Sequence, residues 1–449
     1  MGSDLIKKIR DKDARIAIFG LGHVGLPTAA VFAQAGFKVI GFDKDPKTVD
    51  AVSRGLIDKA EPVLVKAVRA ALERGLFTTT VDGVSAAKES DVIFICVPTP
   101  LNRKKEPDLS CLREACETIA KGISKGKLIV LESTCPPNTT EMVVAPLLEA
   151  KNIRSGVDFF LAYCPERMTP RNAIQEFREN SRIIGGYNPQ SAELAAELFR
   201  IVTDGKLYIT DVKPAEVSKL AENTFRDVNI AYANTLATLC EEIGVDSTEV
   251  IKLANTHPRV NIHTPGPGVG GPCLSKDPYL LLSQARGKDM KFKIITDARE
   301  FNERMPGQIV KLVKKALARS GRKTLGSKIG IMGVVYKGDV SDPRNSPVQD
   351  VVKELKALKA DVMTYDPYCR ETFGAKRAKS LGRALHKADV LLVMTDHTIF
   401  KKINLTRIKS LMNLNPIIVD TRRIIDPVKA SQGGFMYYGI GYGLTTHND

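Results

Sequence analysis

Short apolar runs alternate with helix-like segments over the first half of the chain. Arg15–Phe19 and Lys38–Phe42 are apolar and too short for a helix, so each predicts a buried strand. Between them, the pattern from about Val24 to Gln34 predicts a helix. Because buried strands that alternate with helices form parallel sheets, this pattern predicts a doubly wound α/β fold. Three more runs extend the series: Asp91–Val97, Lys127–Leu131 and Asp158–Ala162.

The same order of signals returns near the C-terminus. A helix is predicted over Pro347–Leu358, and the segment Ala388–Thr395 parallels the earlier Ser90–Val97. Two similar series in one chain predict two Rossmann-like domains, which we place at residues 1–210 and 311–449. The strands predicted for the second domain are Lys328–Met332, Asp361–Tyr365, Asp389–Met394 and Pro416–Asp420.

A helical region is predicted between these domains, at residues 211–310. Asp211 suits a helix cap, Pro214 suits a first turn, and Gly244 suits the end of a long helix. About thirty residues of helix would span roughly 45 Å. Such a helix could join the two domains and also form a dimer interface; an ordinary core helix is the alternative. The apolar positions expected on its buried faces are Leu220, Val228, Ala231, Leu236 and Ile243.

A glycine pattern follows the first predicted strand. In Gly20-Leu-Gly22-His23-Val24-Gly25, the first glycine permits a turn, the second lets a pyrophosphate approach, and the third lets helix and strand pack. The helix N-terminus then favours phosphate charge. Asp43 ends the next strand, where a carboxylate binds ribose hydroxyls and repels a 2′-phosphate, so NAD is predicted rather than NADP. A plain glycine-rich turn beside a solvated aspartate is the alternative.

Charge and composition narrow the class of partner. The 449 residues carry 66 Lys+Arg against 51 Asp+Glu, a net charge of +15. The basic residues are scattered and lack an aromatic-interleaved stripe, so we expect an anionic small molecule and no nucleic acid. The eight cysteines include no CxxC pair, which predicts no metal site and favours a reducing cytoplasm.

No membrane segment or signal peptide is expected from the sequence. The first fifteen residues are polar and charged. The most apolar stretch, Ile16–Phe37, contains four glycines and Pro27, so a phosphate-binding turn explains it better than a membrane span.

Candidate chemistry centres on a glycine- and proline-rich segment, Pro265–Pro278, here termed the thiol loop. It carries Cys273, followed by Lys276 and Asp277, and a nearby cation favours the reactive thiolate. Lys219 and Asn223 lie four residues apart on the predicted long helix and so share a face. Taken alone, Cys273 is better explained as a buried thiol, and Lys219 and Asn223 as solvated helix positions, than as catalytic groups. Two further polar residues, Thr134 and Glu166, follow predicted strand ends.

Five motifs occur in order from about Arg15 to Arg423: GLGHVGLP, VPTP, EVSKLAENTFRDVNIAYAN, GVGGPCLSKDP and GVVYKGDVSDPRNSP. In these motifs the chain resembles the nucleotide-sugar dehydrogenases, the UDP-glucose and UDP-N-acetylhexosamine 6-dehydrogenase family. The resemblance implies two Rossmann-like domains joined by a long dimerising helix. It also implies oxidation of a sugar C6 alcohol to a carboxylate with two NAD.

The resemblance implies roles for the polar residues already singled out. Cys273 would be the nucleophile, adding to an aldehyde so that a thioester can form and be hydrolysed. Lys219, Asn223 and Asp277 would hold water and oxyanion charge. Thr134 with Lys219 would assist alcohol deprotonation, and Glu166 would serve in hydrolysis, although the division of acid–base work stays open.

The resemblance also implies two sets of binding residues, with surface ion pairs as the alternative for each arginine. The cofactor set is Gly20, Gly22, His23, Val24, Gly25, Asp43, Thr99, Thr134 and Arg344. The substrate set is Arg167, Met168, Lys219, Asn223, Arg226, His257, Arg259, Gly270, Tyr336, Lys337 and Arg422.

The same motifs partly indicate which sugar the substrate carries. CPER, NTFRDVN, HPRVNI and PGPGVGGPC are similar to the N-acetylhexosamine branch, with UDP-N-acetylmannosamine ahead of UDP-N-acetylglucosamine and UDP-glucose. Two residues depart from that branch: Pro272 stands where histidine is frequent, and Met168 where valine is common. Alternatives of other classes are a two-electron hydroxyacid dehydrogenase, which needs no thiol, and a non-catalytic NAD-dependent binding protein.

Overall fold

The computed structural model describes residues 2–57, 61–149, 153–169, 172–285 and 292–443. These residues form two compact units. The N-terminal unit draws on Met1–Glu222 and Tyr279–Asp289, and the C-terminal unit on Asn223–Pro278 and Met290–Asp449. The three-part division at 1–210, 211–310 and 311–449 therefore stays a prediction.

The described part of the N-terminal unit contains an eight-stranded sheet of order β3-β2-β1-β4-β5-β6-β7-β8. Its neighbouring strands pair in parallel, except that β6 and β7 are antiparallel. The strands are β1 Arg15–Phe19, β2 Lys38–Phe42, β3 Phe77–Thr80, β4 Val92–Ile95, β5 Leu128–Leu131, β6 Phe160–Tyr163, β7 Arg182–Gly186 and β8 Leu207–Asp211.

The described part of the C-terminal unit contains a second, smaller sheet of order β11-β10-β9-β12-β13-β14. Every neighbouring pair in it is parallel. Its strands are β9 Lys328–Met332, β10 Asp361–Tyr365, β11 Lys376–Arg377, β12 Val390–Val393, β13 Ile417–Asp420 and β14 Met436–Gly439. The two doubly wound sheets confirm the predicted fold class. In the first sheet β1 lies between β2 and β4, and in the second β9 lies between β10 and β12, which is the Rossmann order.

Helices pack on both faces of each sheet. The described α-helices are α1 Gly2–Arg10, α2 Gly25–Gln34, α3 Pro46–Ser53, α4 Pro62–Glu73, α5 Gly83–Glu89, α6 Ser110–Gly122, α7 Ala145–Leu148, α8 Ala173–Glu179, α9 Pro189–Arg200, α10 Val212–Ile243, α11 Ser247–Ala254, α12 Asp277–Leu282, α13 Lys293–Arg319, α14 Val348–Ala357, α15 Leu381–Leu385, α16 Leu405–Leu411 and α17 Pro427–Gln432. A π-helical turn at Thr140–Val144 and 3₁₀ turns at Ser283–Ala285 and Thr398–Lys402 complete the set.

The predicted long helix is present as α10, with 32 residues, and it ends directly before Gly244 as expected. Asp211 is the last residue of β8, so strand and helix follow without a linker. Leu220 and Ala231 are buried as predicted, but Ile243 is 62% exposed, so the expectation for that position was wrong. Strands β7 and β8 and the 27-residue helix α13 were not predicted.

Apolar side chains from both faces of each sheet make separate cores. In the N-terminal unit, one face buries Phe32, Phe94, Phe177 and Phe199 in mutual ring contact. In the C-terminal unit, α13 and α14 cover one sheet face with residues such as Val313. Because these cores fix the strands, the loops at the carboxyl strand ends are positioned for binding. Within the described ranges, no helix is long and apolar enough to span a bilayer.

Candidate active site and nucleotide sites

The glycine turn between β1 and α2 has the shape that a dinucleotide requires. Gly20 has φ +98°, and a Cβ there would lie 2.6 Å from the Cys96 carbonyl oxygen. A side chain on Gly25 would collide with the Gly20 carbonyl, whereas Gly22 has no heavy atom within 4 Å of its Cβ position. The outer glycines therefore let the turn close, and the middle one leaves space for phosphate beside the N-terminus of α2.

Asp43, directly after β2, is tied to this turn. Its Oδ2 accepts from the Leu21 N–H at 3.0 Å, and its Oδ1 accepts from the Asp45 N–H at 3.0 Å. His23 is exposed, and Val24 directly precedes α2. The carboxylate is thus held at the edge where the ribose of a bound dinucleotide would lie.

Two other cofactor candidates are linked across the carboxyl ends of β4 and β5. The Thr99 hydroxyl, 5% exposed, donates to the Thr134 carbonyl at 2.5 Å. Ser133 Oγ donates to the Val97 carbonyl at 2.7 Å. The two strand ends are therefore fixed to each other beside the glycine turn.

Lys219 and Glu166 come together in the N-terminal unit. Lys219, only 5% exposed, donates from Nζ to the Glu166 carbonyl, and Nζ lies 3.6 Å from Glu166 Oε2. The other carboxylate oxygen of Glu166 accepts from the Met168 N–H. A nearly buried ammonium beside a carboxylate is an arrangement that can hold or move a proton.

Arg167 is engaged within the protein. Its guanidinium binds both carboxylate oxygens of Glu222 on α10, and Nη1 donates to the Ser181 carbonyl at 2.8 Å. Met168 packs against the edge of the N-terminal core. The predicted substrate roles of both residues stay predictions.

Glu216 on α10 is a buried carboxylate that sequence reasoning missed. It accepts from the Asn138 N–H at 2.6 Å, from the Thr140 N–H at 2.8 Å and from the Thr140 hydroxyl at 2.6 Å. Burial raises its pKa. It fixes the segment that follows Thr134, and its signal in the sequence was its position three residues before Lys219, on the same helical face.

In the C-terminal unit, the thiol loop closes through Asp277. The Asp277 N–H donates to the Cys273 carbonyl at 2.8 Å, and Asn223 Nδ2 donates to Asp277 Oδ2 at 2.6 Å. Cys273 is exposed, while Asn223 and Asp277 are 6% and 1% exposed. The structure therefore brings together three of the predicted catalytic residues: a thiol, a carboxamide and a carboxylate. Lys276 Nζ lies 3.6 Å from Asp277 Oδ1.

The thiol loop packs directly on Tyr336. Gly271 has φ +85°, and a Cβ there would lie 2.7 Å from the Tyr336 ring. A Cβ on Gly270 would lie 2.7 Å from the Tyr336 Cβ. Burial raises the pKa of Tyr336 to about 12. Only glycine fits at these contacts, so two residues assigned to substrate, Gly270 and Tyr336, are neighbours.

Arg422 and Arg344 reach the same neighbourhood of the C-terminal unit. Arg422 Nη2 donates to the Tyr336 carbonyl at 2.8 Å and Nε to the Met394 carbonyl at 3.0 Å. Arg344 forms a bidentate pair with Asp342, and its carbonyl accepts from the Gly271 N–H at 3.1 Å. Burial lowers the pKa of Arg422.

Asp366 and His397, which sequence reasoning missed, hold the segment that carries Tyr336 and Lys337. His397 Nδ1 accepts from the Asp339 N–H at 2.7 Å, so Nε2 carries the hydrogen and donates to Asp366 Oδ2 at 3.0 Å. The same Oδ2 accepts from the Val334 N–H at 2.8 Å. Lys337 between these anchors is exposed.

The other three substrate candidates lie at the surface. Arg226 is exposed on α10, and His257 and Arg259 are exposed on the loop after α11. The Arg259 N–H donates to His257 Nδ1 at 3.3 Å. Their predicted roles are not tested by these contacts. Among the described residues, no group of three or more His, Cys, Asp or Glu side chains has the arrangement of a metal site.

Three segments match the UDP-glucose/GDP-mannose dehydrogenase family. Residues 14–203 match its NAD binding domain, 213–304 its central domain and 330–427 its UDP binding domain. The first segment contains the glycine turn and Asp43, and the last contains Tyr336 and Arg422.

Relatives of this family match nearly the whole chain. UDP-N-acetyl-D-mannosamine dehydrogenase of Pyrococcus horikoshii is 43% identical over 96% of this chain and 99% of its own. The structure of UDP-D-ManNAc dehydrogenase from that organism superposes with a TM-score of 0.89, covering 96% of this chain and 100% of that one at 43% identity. The NDP-N-acetyl-D-galactosaminuronic acid dehydrogenase of Methanosarcina mazei is 32% identical, with a TM-score of 0.85 over 99% of both chains. The chain therefore belongs to the UDP-glucose/GDP-mannose dehydrogenase family and is an NAD-dependent UDP-sugar dehydrogenase.

Proposed function

We propose that this enzyme oxidises the C6 hydroxyl of UDP-N-acetyl-D-mannosamine to the uronate through a covalent intermediate on Cys273. The observation that carries the proposal is the geometry of the thiol loop. An exposed thiol lies in a turn closed by the buried Asp277, whose carboxylate is oriented by Asn223. A two-electron alcohol dehydrogenase needs no such thiol, whereas oxidation of an aldehyde needs a nucleophile to add first.

The chain's residues supply the steps around two hydride transfers. Lys219, with Thr134, assists removal of the C6 hydroxyl proton as the alcohol becomes an aldehyde. The Cys273 sulfur then bonds to the aldehyde carbon and the carbonyl oxygen takes up a proton, giving a thiohemiacetal. Its oxidation gives a thioester. Water attacks the thioester carbon, the carbon–sulfur bond breaks, and the carboxylate leaves with the thiol restored.

Three groups stabilise the charge and the water of these steps. Asn223 donates a hydrogen bond to the oxyanion, and Asp277 orients the water. Glu166, whose carboxylate lies beside Lys219, accepts the proton of the attacking water. The family resemblance supplies these role assignments, and the burial of Asn223, Asp277 and Lys219 supports them because charge interactions are stronger away from solvent.

The fit of the glycine turn to a pyrophosphate supports our assignment of the NAD contacts. Gly20, Gly22 and Gly25 shape the pyrophosphate site, Asp43 binds the ribose hydroxyls, and His23, Val24, Thr99 and Thr134 line its edge. Bound NAD supplies the hydride acceptor for each oxidation. Arg344 is assigned to the cofactor by resemblance alone.

The UDP group is assigned to the C-terminal unit. Tyr336 and Lys337 lie in one segment at the carboxyl edge of its sheet, and Arg422 binds the backbone of that segment. Cationic Lys337 and Arg422 suit a diphosphate. Arg226, His257 and Arg259, with Arg167, Met168 and Gly270, complete the proposed substrate set.

The choice of sugar rests on the relatives and the motifs. The most similar relative reported above is named for UDP-N-acetyl-D-mannosamine. The Methanosarcina enzyme, named for an N-acetyl-galactosaminuronic acid, has a similar fold at lower identity, so fold alone does not select the epimer. Residues Arg167 and Arg226 favour an N-acetylhexosamine over glucose by resemblance.

We also propose that the enzyme is a homodimer joined through α10. Along this helix, Phe225, Tyr232, Leu239 and Ile243 are between 53% and 62% exposed. Spacings of seven, seven and four residues place them on one helical stripe. An open groove beside it, between α10 and α13, is lined by Val228, Tyr232 and Phe301. A second copy of α10 is the occupant that matches such an apolar, extended stripe.

The cysteine pattern favours a reducing cytoplasm as the compartment of this enzyme.

The decisive experiment counts NADH released per sugar by the purified enzyme. We expect two NADH per UDP-N-acetyl-D-mannosamine, with slower turnover of UDP-N-acetylglucosamine and UDP-glucose. Faster turnover of UDP-glucose would reject the proposed sugar.

Cys273→Ser should abolish release of the second NADH. Full two-NADH turnover by Cys273→Ser would reject the thioester route while leaving the sugar assignment untouched.

A further inference from the structure

A chain of four buried polar side chains runs from α13 through α10 to the thiol loop. Its members are Arg299 and Asn302 on α13 and Asp227 and Asn234 on α10, each at most 3% exposed. Arg299 Nη1 donates to Asp227 Oδ1 at 2.6 Å, and Asn302 Nδ2 donates to the same oxygen at 3.0 Å. Asn234 Nδ2 donates to Asn302 Oδ1 at 3.2 Å. At the far end, Asn234 Oδ1 accepts from the Gly266 N–H at 2.8 Å.

Each member of this chain fixes the orientation of the next. The Asp227 carboxylate only accepts, so it faces the amide hydrogens of Asn302 and leaves the Asn302 oxygen toward Asn234. Asn234 must then present its NH₂ group to Asn302 and its oxygen to Gly266. Asparagine meets both demands, whereas leucine meets neither and aspartate would place two oxygens in contact. A polar group left without a hydrogen-bond partner at this burial destabilises the fold, because it has lost its bonds to water as well.

Gly266 is where the thiol loop also meets a residue proposed to bind UDP. A Cβ on Gly266 would lie 3.0 Å from Arg422 Nη1. Farther along, the same loop packs Gly271 on Tyr336, two residues before Cys273. The loop is therefore held at its start by Asn234 and at its middle by the UDP-binding segment.

We propose that Asn234 is a positioning residue that sets the place of Cys273 through the backbone of the thiol loop. The inference rests on the proposed function, because it assigns Asn234 to the oxidation that uses the thiol. A displacement of about 1 Å at a reacting atom is enough to lower a rate by roughly a hundredfold. None of the four side chains reaches substrate in this role, and their effect passes through Gly266.

The test uses the full-length enzyme and three variants. Asn234→Leu removes both hydrogen bonds, and Asn234→Asp keeps the acceptor for Gly266 but opposes Asn302. Val313→Ala is the matched control, since it destabilises the same unit by a cavity on α13 without touching the chain. Hydrogen–deuterium exchange of the peptide containing Gly266 is measured together with kcat, KM and the melting temperature.

We expect both Asn234 variants to exchange the Gly266 segment at least roughly tenfold faster and to lose at least roughly tenfold in kcat. Val313→Ala should melt earlier yet keep both properties. If Val313→Ala changed the exchange at Gly266 and kcat as much as an Asn234 variant of the same melting temperature, the role of Asn234 would be structural only. That result would overturn the proposal. Wild-type exchange or wild-type kcat in the Asn234 variants would overturn it as well.

Cys273→Ser, measured alongside, distinguishes failure of the thioester route from failure of the positioning role of Asn234. If it keeps two-NADH turnover, the thioester route fails, and exchange at Gly266 still reports whether Asn234 orders the loop. If it loses the second NADH while the Asn234 variants behave as wild type, the route stands and the positioning role fails.

Discussion

The carboxamide of Asn223 donates to the carboxylate of Asp277 over 2.6 Å, and the two residues lie 54 positions apart in the chain. Both are buried, at 6% and 1% exposure. The contact joins α10 to the end of the thiol loop. It therefore sets the orientation of the Asp277 carboxylate, while the Asp277 N–H closes the turn onto the Cys273 carbonyl.

Exchanging the chemistry of this pair should disable the enzyme. Asp277→Asn removes the charge, and Asn223→Asp sets two carboxylates against each other. We expect each to lower kcat by about a hundredfold or more. Asn404→Asp is the control for Asn223→Asp. It makes the same asparagine-to-aspartate change at the exposed N-cap of α16 and should leave kcat unchanged. Steady-state NADH formation measures all three, and a kcat within about threefold of wild type for Asp277→Asn would contradict the assignment.

Cofactor choice should depend on Asp43. In Asp43→Ser the negative charge that opposes a 2′-phosphate is gone, so the ratio of kcat/KM for NADP to that for NAD should rise at least roughly tenfold. Asp45→Ser is the control, because Asp45 caps α3 two residues away. An unchanged ratio in Asp43→Ser would show that another group selects the cofactor.

Gly271→Ala should weaken substrate binding beyond the cost of backbone strain. The new Cβ would meet the Tyr336 ring at 2.7 Å, and a backbone at φ +85° adds about 1–2 kcal/mol of strain. Gly326→Ala is matched, at φ +79° with no atom within 4 Å. We expect both variants to melt earlier and only Gly271→Ala to raise KM for the UDP-sugar, by roughly tenfold. Equal KM values in the two variants would disprove the packing argument.

Stability in acid should depend on Asp366. Burial alone would raise the pKa of this carboxyl, but the hydrogen bond from His397 and the N–H donors of Val334 and Tyr368 bring its pKa below the ordinary 3.8. A lowered folded-state pKa stabilises the protein above pH 3.8, and this stabilisation is lost as pH falls through the folded-state value.

Asp366→Asn should therefore lower the free energy of unfolding by about 2 kcal/mol at pH 7, with a difference that shrinks below pH 4. Urea midpoints from pH 7 to pH 3 measure it. Asp361→Asn, which breaks only an exposed pair with Lys376, should change stability by less than about 0.5 kcal/mol. A pH-independent difference for Asp366→Asn would refute the linkage.

Charge placed on the exposed stripe of α10 should separate the proposed dimer. Leu239→Glu is expected to convert a species of twice the 49.1 kDa chain mass into one of the single mass, as measured by sedimentation equilibrium. Leu253→Glu, at a leucine on α11 that is 62% exposed against 53% for Leu239, serves as the control. A wild-type protein that sediments as a monomer would reject the α10 interface outright.

Local pattern was sufficient for much of the fold. Strands β1, β2, β9 and β10 have the bounds that their apolar runs predict, because short buried strands carry their signal in consecutive residues. Strand β8 escaped prediction because it lies at a sheet edge, with Tyr208 and Ile209 exposed. Helix α13 escaped because Pro306 lies inside it, where proline ordinarily ends a helix.

By itself the sequence determined the two Rossmann-like domains, the glycine turn with Asp43, and the candidate thiol, since these depend on residue types at fixed short spacings. Tertiary structure alone decided which polar residues hold those features in place. Gly266 is bound by Asn234, Asp366 by His397 and Thr140 by Glu216, and these pairs are separated by 31 to 76 residues. In the sequence alone, an asparagine or glutamate outside a recognisable motif is predicted to be a solvated side chain. Only the packed fold, by removing water from both partners, makes each hydrogen bond obligatory and its geometry unique.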